Sequence, residues 1–280
     1  LWEKRAAWHQ ISDRSPGEIY TIVPQILAIA QDPNNDPITH IHALWSLEGV
    51  KYYDPKLLTD LLKDKSADVR REAIRSLVSF ELKAPDITPL VKELMNDPNP
   101  AVRAQVIRTL DEAGALDSTA IELLAKAAKP ELPGNEMGGS YERRFERYLI
   151  RKALEKSPDE LQKFISSKKS EDVPAVNMLW ISQVLPSPQK EQVFLQYWKK
   201  ANLSTLDEST FISMAGMLDN PEVNQAMKQM LNDPAHAKTY VTFALQNQGQ
   251  IQTPFISTLL AVPVKILLEN PSDQNLALDA

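Results

Sequence analysis

Leu57-Leu58-Thr59-Asp60-Leu61-Leu62-Lys63-Asp64 is answered by Leu90-Val91-Lys92-Glu93-Leu94-Met95-Asn96-Asp97, a shift of 33 residues from 57 to 90. The agreement runs on past the aspartate. Val69-Arg70 pairs with Val102-Arg103, Ile74-Arg75 with Ile107-Arg108, and Leu77 with Leu110. Leu57, Leu58, Leu61 and Leu62 form an apolar stripe along one helix face. Asp64 to Asp68 is a polar turn, and Val69, Ala73, Ile74 and Leu77 make the stripe of a second helix. Neither helix hides its stripe alone. Stacked hairpins bury both in one continuous core, so the shift predicts a tandem array of helical hairpins.

Fainter copies extend in both directions. Ile26 to Asp32 reads as the end of a first helix, and His42 to Gly49 as its second helix, with Gly49 as C-cap. Here His40 takes the place of Arg70 and Arg103, and the turn is about two residues longer than in the other copies. Lys4 to Ile11 aligns with Arg70 to Leu77 at twice the shift, which places the start of the chain inside a second helix and predicts that it is a piece of something longer. Downstream, Leu161 to Ile165 with Pro174 to Val184 reads as a hairpin. So does Ala226 to Leu231, with its turn Asn232-Asp233-Pro234, followed by Thr239 to Gln246. Seven or eight hairpins are expected in all. Every arginine lies at or before Arg151, and the later half is richer in Gln, Asn and Met. A joint is expected at Ser157-Pro158-Asp159, with regular repeats over 1–157 and divergent ones continuing the same array over 158–280.

Composition agrees with this reading and narrows function. Among 280 residues there are 8 glycines and 20 prolines, a balance that suits helices punctuated by proline rather than strands joined by glycine turns. A hydrophobic share of 43% supplies a core. A net charge of −6 argues against a nucleic-acid backbone as partner. There are no cysteines, which excludes thiolate metal sites and thiol nucleophiles within the chain. No apolar run approaches the about 20 residues needed to span a bilayer.

The Asp-x4-Val-Arg element at Asp64…Arg70 and Asp97…Arg103 resembles the HEAT-repeat family, including its phycobilin-lyase-type subgroup. The resemblance implies an all-α, right-handed α-solenoid (superhelix) of HEAT-like hairpins, in which Asp64, Arg70, Asp97 and Arg103 form a structural ladder along the turns. His42-Ala43-Leu44-Trp45-Ser46-Leu47-Glu48-Gly49, with Asp68-Val69-Arg70 and Phe145 to Glu155, is also similar to the helical-repeat region of large exported bacterial proteins. Those proteins join a sugar-dehydrogenase-like propeller, a HEAT array and a cytochrome c domain. The likeness covers about residues 1–156 and implies a periplasmic or otherwise extracytoplasmic setting; the residues themselves are equally compatible with the cytoplasm, since proteins of both compartments can lack cysteine. HEAT-like glycosylases and bilin lyases are disfavoured by the charge and by the missing cysteines.

Two neighbouring segments stand out as candidate sites. Pro130 to Ser140 holds three of the eight glycines and is part of an insertion over 130–142. It lacks a Gly-Lys-Ser/Thr ending, and Glu131 and Glu136 would repel phosphate. After it, Arg143, Arg147 and Arg151 recur every four residues and share one helix face, a row suited to an acidic partner. With Arg144, Asn135 and Glu136 they are the expected partner-binding residues. Tyr141, Phe145 and Tyr148 are expected to pack in the core. His40 and His42, two apart on a helix, point in opposing directions and do not chelate one ion. No Gly-x-Ser-x-Gly, His-Glu-x-x-His or dinucleotide fingerprint is present. The expected function is non-catalytic protein binding or scaffolding, without a cofactor. The partner is another protein or a neighbouring domain of the same polypeptide. The alternative is the structural middle of an exported oxidoreductase whose chemistry lies in other domains.

Overall fold

An aspartate or asparagine followed by proline opens one helix after another. Asp36 accepts the Thr39 N–H, Asp54 that of Leu57, Asn99 that of Ala101, and Asn220 those of Glu222 and Val223. The next residue is Pro37, Pro55, Pro100 or Pro221, at a position where a missing N–H costs the helix nothing and a fixed φ suits it. The abundance of proline thus marks where helices begin.

The computed structural model describes residues 16–130 and 139–269, together with residues 6, 9–11, 13 and 278. Among the described residues every regular element is helical. The chain is an all-α solenoid of HEAT-like hairpins, the fold class expected from its sequence. It forms two compact units, Leu1–Ala127 with Leu132–Ser157, and Ala128–Glu131 with Pro158–Ala280.

The first unit stacks four hairpins among its described residues. These are α1 (Pro16–Gln31) with α2 (Pro37–Gly49), α3 (Pro55–Leu61) with α4 (Ala67–Ser79), α5 (Ala84–Val91) with α6 (Pro100–Glu112), and α7 (Ser118–Ala127) with α8 (Ser140–Glu155). The second helices α2, α4, α6 and α8 pack in series, each on the next. Ile74 and Leu77 in α4, and their counterparts Ile107 and Leu110 in α6, are fully buried. α5 carries Pro89 and passes into a 3-10 turn over Lys92–Asn96.

The second unit continues with α9 (Pro158–Ile165), α10 (Ala175–Ile181), α11 (Gln189–Tyr197), α12 (Glu208–Ala215), α13 (Pro221–Leu231), α14 (Ala237–Gln246) and α15 (Thr253–Leu268). The helices α11 and α12 were not foreseen. The segment between them is broken into 3-10 turns at Trp198–Lys200 and Leu203–Thr205, and their buried stripes are short: Val193, Phe194 and Tyr197 in α11, and Phe211, Met214 and Ala215 in α12.

One backbone feature recurs with the repeat. Lys51, Glu81 and Gly114 have φ of 53°, 65° and 98°, each two residues past the end of a second helix. Tyr52 donates its N–H to the Leu47 carbonyl at 2.9 Å, and Leu82 does the same to Leu77 at 3.2 Å, closing the Schellman pattern. Gly49 is therefore not the C-cap. It is the last helical residue, Val50 caps, and the left-handed turn falls on Lys51. A glycine would adopt that conformation without strain, but two of the three positions lack one.

Candidate functional site

The repeat's aspartates and arginines join neighbouring hairpins. Arg70 clamps Asp97 of the next hairpin with Nε and Nη2, at 2.7 and 2.8 Å. Its Nη1 reaches back 2.8 Å to the carbonyl oxygen of Asp64 in its own turn. Arg103 repeats the pattern: Nη1 donates to the Asp97 carbonyl at 2.7 Å, and Nε to Glu146 Oε1 at 2.7 Å. His40 is a shorter version of the same rung. Its Nε2 lies 2.8 Å from the Asp32 carbonyl, and its Nδ1 lies 3.6 Å from Asp64 Oδ2. Each rung therefore reaches back to its own turn and forward to the next acid. Asp64 and Asp97 are fixed in turn by the N–H groups of Ser66 and Asn99.

The forward acid of the third rung comes from an unexpected place. Aligning buried Val106, Ile107 and Leu110 with buried Leu149, Ile150 and Ala153 sets Glu146 at the position held by Arg103 one hairpin earlier. The sign at that position is inverted. Glu146 also accepts from Arg143 Nη1 at 2.7 Å. Arg147 is buried, at 5% exposure. The row Arg143, Arg147, Arg151 is therefore not one open surface, because each step of four residues overshoots a helical turn by about 40°. Arg151 faces outward and pairs with Glu155 at 3.1 Å, and Arg144 is also exposed. Asn135 and Glu136 lie outside the described residues.

The outward side of the second helices carries a different arginine column, Arg75, Arg108 and Arg151, at equivalent repeat positions. Arg75 is held by Glu48 at 2.6 Å and Glu72 at 2.8 Å, and Trp45 donates its indole N–H to Glu72 at 3.2 Å. Arg108 lies over the Phe145 ring, 5.3 Å from its centroid. Tyr141 and Tyr148 depart from the expected core packing, being 79% and 61% exposed. The buried face of α8 is taken by Leu149, Ile150, Ala153 and Leu154. Asp111 on α6 meets Lys152 Nζ at 3.5 Å and also bonds Lys156.

Residues 55–132 match the family model described as HEAT repeats. The repeat is HEAT-like. The matched stretch runs from the start of α3 to just beyond α7 and contains both complete Asp–Arg elements. No curated protein and no solved structure matches the chain. HEAT repeats commonly serve as protein-interaction or scaffold elements and are typically non-catalytic. Among the described residues no group of three or more His, Cys, Asp or Glu is placed to hold a metal, and no helix is long and apolar enough to cross a membrane. His42 packs edge-on against Trp45 at 5.1 Å, and His236 Nδ1 bonds Asp233 at 2.7 Å.

The network on the HEAT-like second helices makes a testable statement about acid. Burial pushes the Glu72 carboxyl up, but bonds from Arg75 and Trp45 and the charges of Arg75 and Arg71 outweigh it, leaving Glu72 below its ordinary value of 4.5. A carboxylate depressed on folding contributes stability that is present above its unfolded pKa and is lost as pH falls through the folded value. Urea midpoints taken from about pH 6 downward should therefore fall less steeply for Glu72→Gln than for the parent protein. Parallel acid limbs would refute the assignment.

Proposed function

We propose that this chain is a non-catalytic protein-binding or scaffolding segment, a HEAT-like array presenting the outward side of its second helices to a protein or to a neighbouring domain of the same polypeptide. The observation that carries the reading is α8, whose outward face leaves two tyrosines in solvent within a row of basic residues. Exposed aromatics among arginines have the composition of an interface core rather than of a solvated helix. With the intact chain as bait in extract of its native host, crosslinking should yield a discrete protein that excess untagged chain displaces. A chain that captures nothing displaceable would overturn the reading.

A second reading rests on the likeness of residues 1–156 to the helical middle of exported multidomain oxidoreductases. There the array would space a dehydrogenase domain and an electron-accepting domain in the periplasm. Sequencing the flanks of the gene tests it. Propeller repeats on one side and a Cys-x-x-Cys-His on the other would support it, and flanks with neither would remove it.

A further inference from the structure

We infer that the outward face of α8, together with Arg108 of α6, takes an acidic polypeptide segment, whose carboxylates meet Arg108 and Arg151 and whose apolar side chains lie along Tyr141, Phe145 and Tyr148. The inference rests on the protein-binding reading above and names the chemistry of the partner.

Three observations carry it. Tyr141, Phe145 and Tyr148 stand at i, i+4 and i+7, one face of a helix. The outer two are open to solvent, while Phe145 is half-buried beneath Arg108. Tyrosine and arginine dominate interface energetics because they bring large area and directed hydrogen bonds at modest entropic cost.

The arginines are also available. Arg108 is steadied by the ring beneath it, with no carboxylate within ion-pair distance among the described residues. Among the described residues Arg151 is held only by the exposed Glu155, and such a pair is worth about 0.2–1 kcal/mol, little enough to exchange for a better-placed acid. Arg75, the third member of the column, is already occupied by Glu48 and Glu72, so the site is confined to the α6–α8 end.

Charge gives the third argument. Along α8 and its C-terminal end the exposed charged residues are Arg144, Arg151, Lys152 and Lys156 against Glu155, with Asp111 of α6 set between the two lysines, so the face keeps a basic excess in a chain whose total is −6. That local excess selects an acidic partner. The negative remainder repels a long polyanion such as nucleic acid, which needs a basic surface over many phosphates.

The test is a random linear peptide display library panned on the intact chain. Selected peptides should be rich in Asp and Glu interspersed with apolar residues. Their binding should fall at least about tenfold when salt is raised from about 0.05 to about 0.5 M. It should fall comparably in Arg108→Glu/Arg151→Glu and, independently, in Tyr148→Ser, with the melting curve unchanged in each because the substituted side chains are exposed. Peptides that are neutral or basic, or that bind all variants equally, would overturn the acidic face while leaving protein binding intact. A library that yields nothing would overturn it as well, and partner capture in host extract would then decide the broader reading separately. A mixed-sequence single-stranded oligonucleotide bound as tightly, and lost in the same variants, would overturn it in favour of general polyanion binding.

Discussion

Arg103→Ala should destabilise the first unit by about 3–5 kcal/mol, the usual cost of removing one partner from a buried ion pair. The Arg103 and Glu146 side chains are only 7% and 5% exposed. Without the guanidinium, Glu146 keeps Arg143 alone, and the carbonyls of Asp97 and Pro98 lose their donor. Arg103→Met combined with Glu146→Met should recover most of the loss, because the cost lies in the unmatched charge rather than in the absent attraction. Arg151→Ala, at an exposed pair on the same helix, should change stability by less than about 1 kcal/mol. Urea denaturation followed by far-UV circular dichroism compares the three. A single-variant loss below about 1 kcal/mol would contradict the buried rung.

Phe211→Ala should cost the second unit a similar amount, about 3–5 kcal/mol, but for a different reason. Phe211 is fully buried in α12 and stacks on Tyr240 of α14 at 5.8 Å, with a tilted contact to Phe243 at 5.7 Å. Alanine leaves a cavity walled by two rings, and the Tyr240 hydroxyl, whose pKa burial already raises, has no hydrogen bond among the described residues with which to pull the helix inward. Phe211→Leu should keep more than half of the lost stability by refilling the space. If alanine and leucine prove equivalent, ring packing does not hold α12 to α14.

Between Leu57 and Leu110 the hairpins were legible because the apolar period, the acidic turn and the basic second helix all recur together. The helices α11 and α12 were not, since their stripes are short and their link is cut into 3-10 turns. Tyr141 and Tyr148 were misread for a related reason. A helical period identifies faces but not which of two is buried, and Leu149, Ile150, Ala153 and Leu154 compete more strongly for the core. The burial of Arg147 depends on how α8 is rotated in its packed position, and the bond from Arg103 to Glu146 spans 43 residues. Local spacing carries neither fact. The left-handed turns at Lys51 and Glu81 gave no sign because only Gly114, the third in their series, is the residue that conformation prefers.

The forward reach of each rung gives the first unit a polarity. The second hairpin offers Asp64 to its predecessor and Arg70 to its successor; the third offers Asp97 and Arg103 in the same order. Such modules behave as monomers with one acceptor end and one donor end, so copy number is editable: a whole module added or removed between them leaves every clasp matched. Glu146 is the exception. It accepts from Arg103 yet stands where a donor would be required, so it terminates the series as an end group terminates a polymer, and the length of this run of clasps is written in that one side chain.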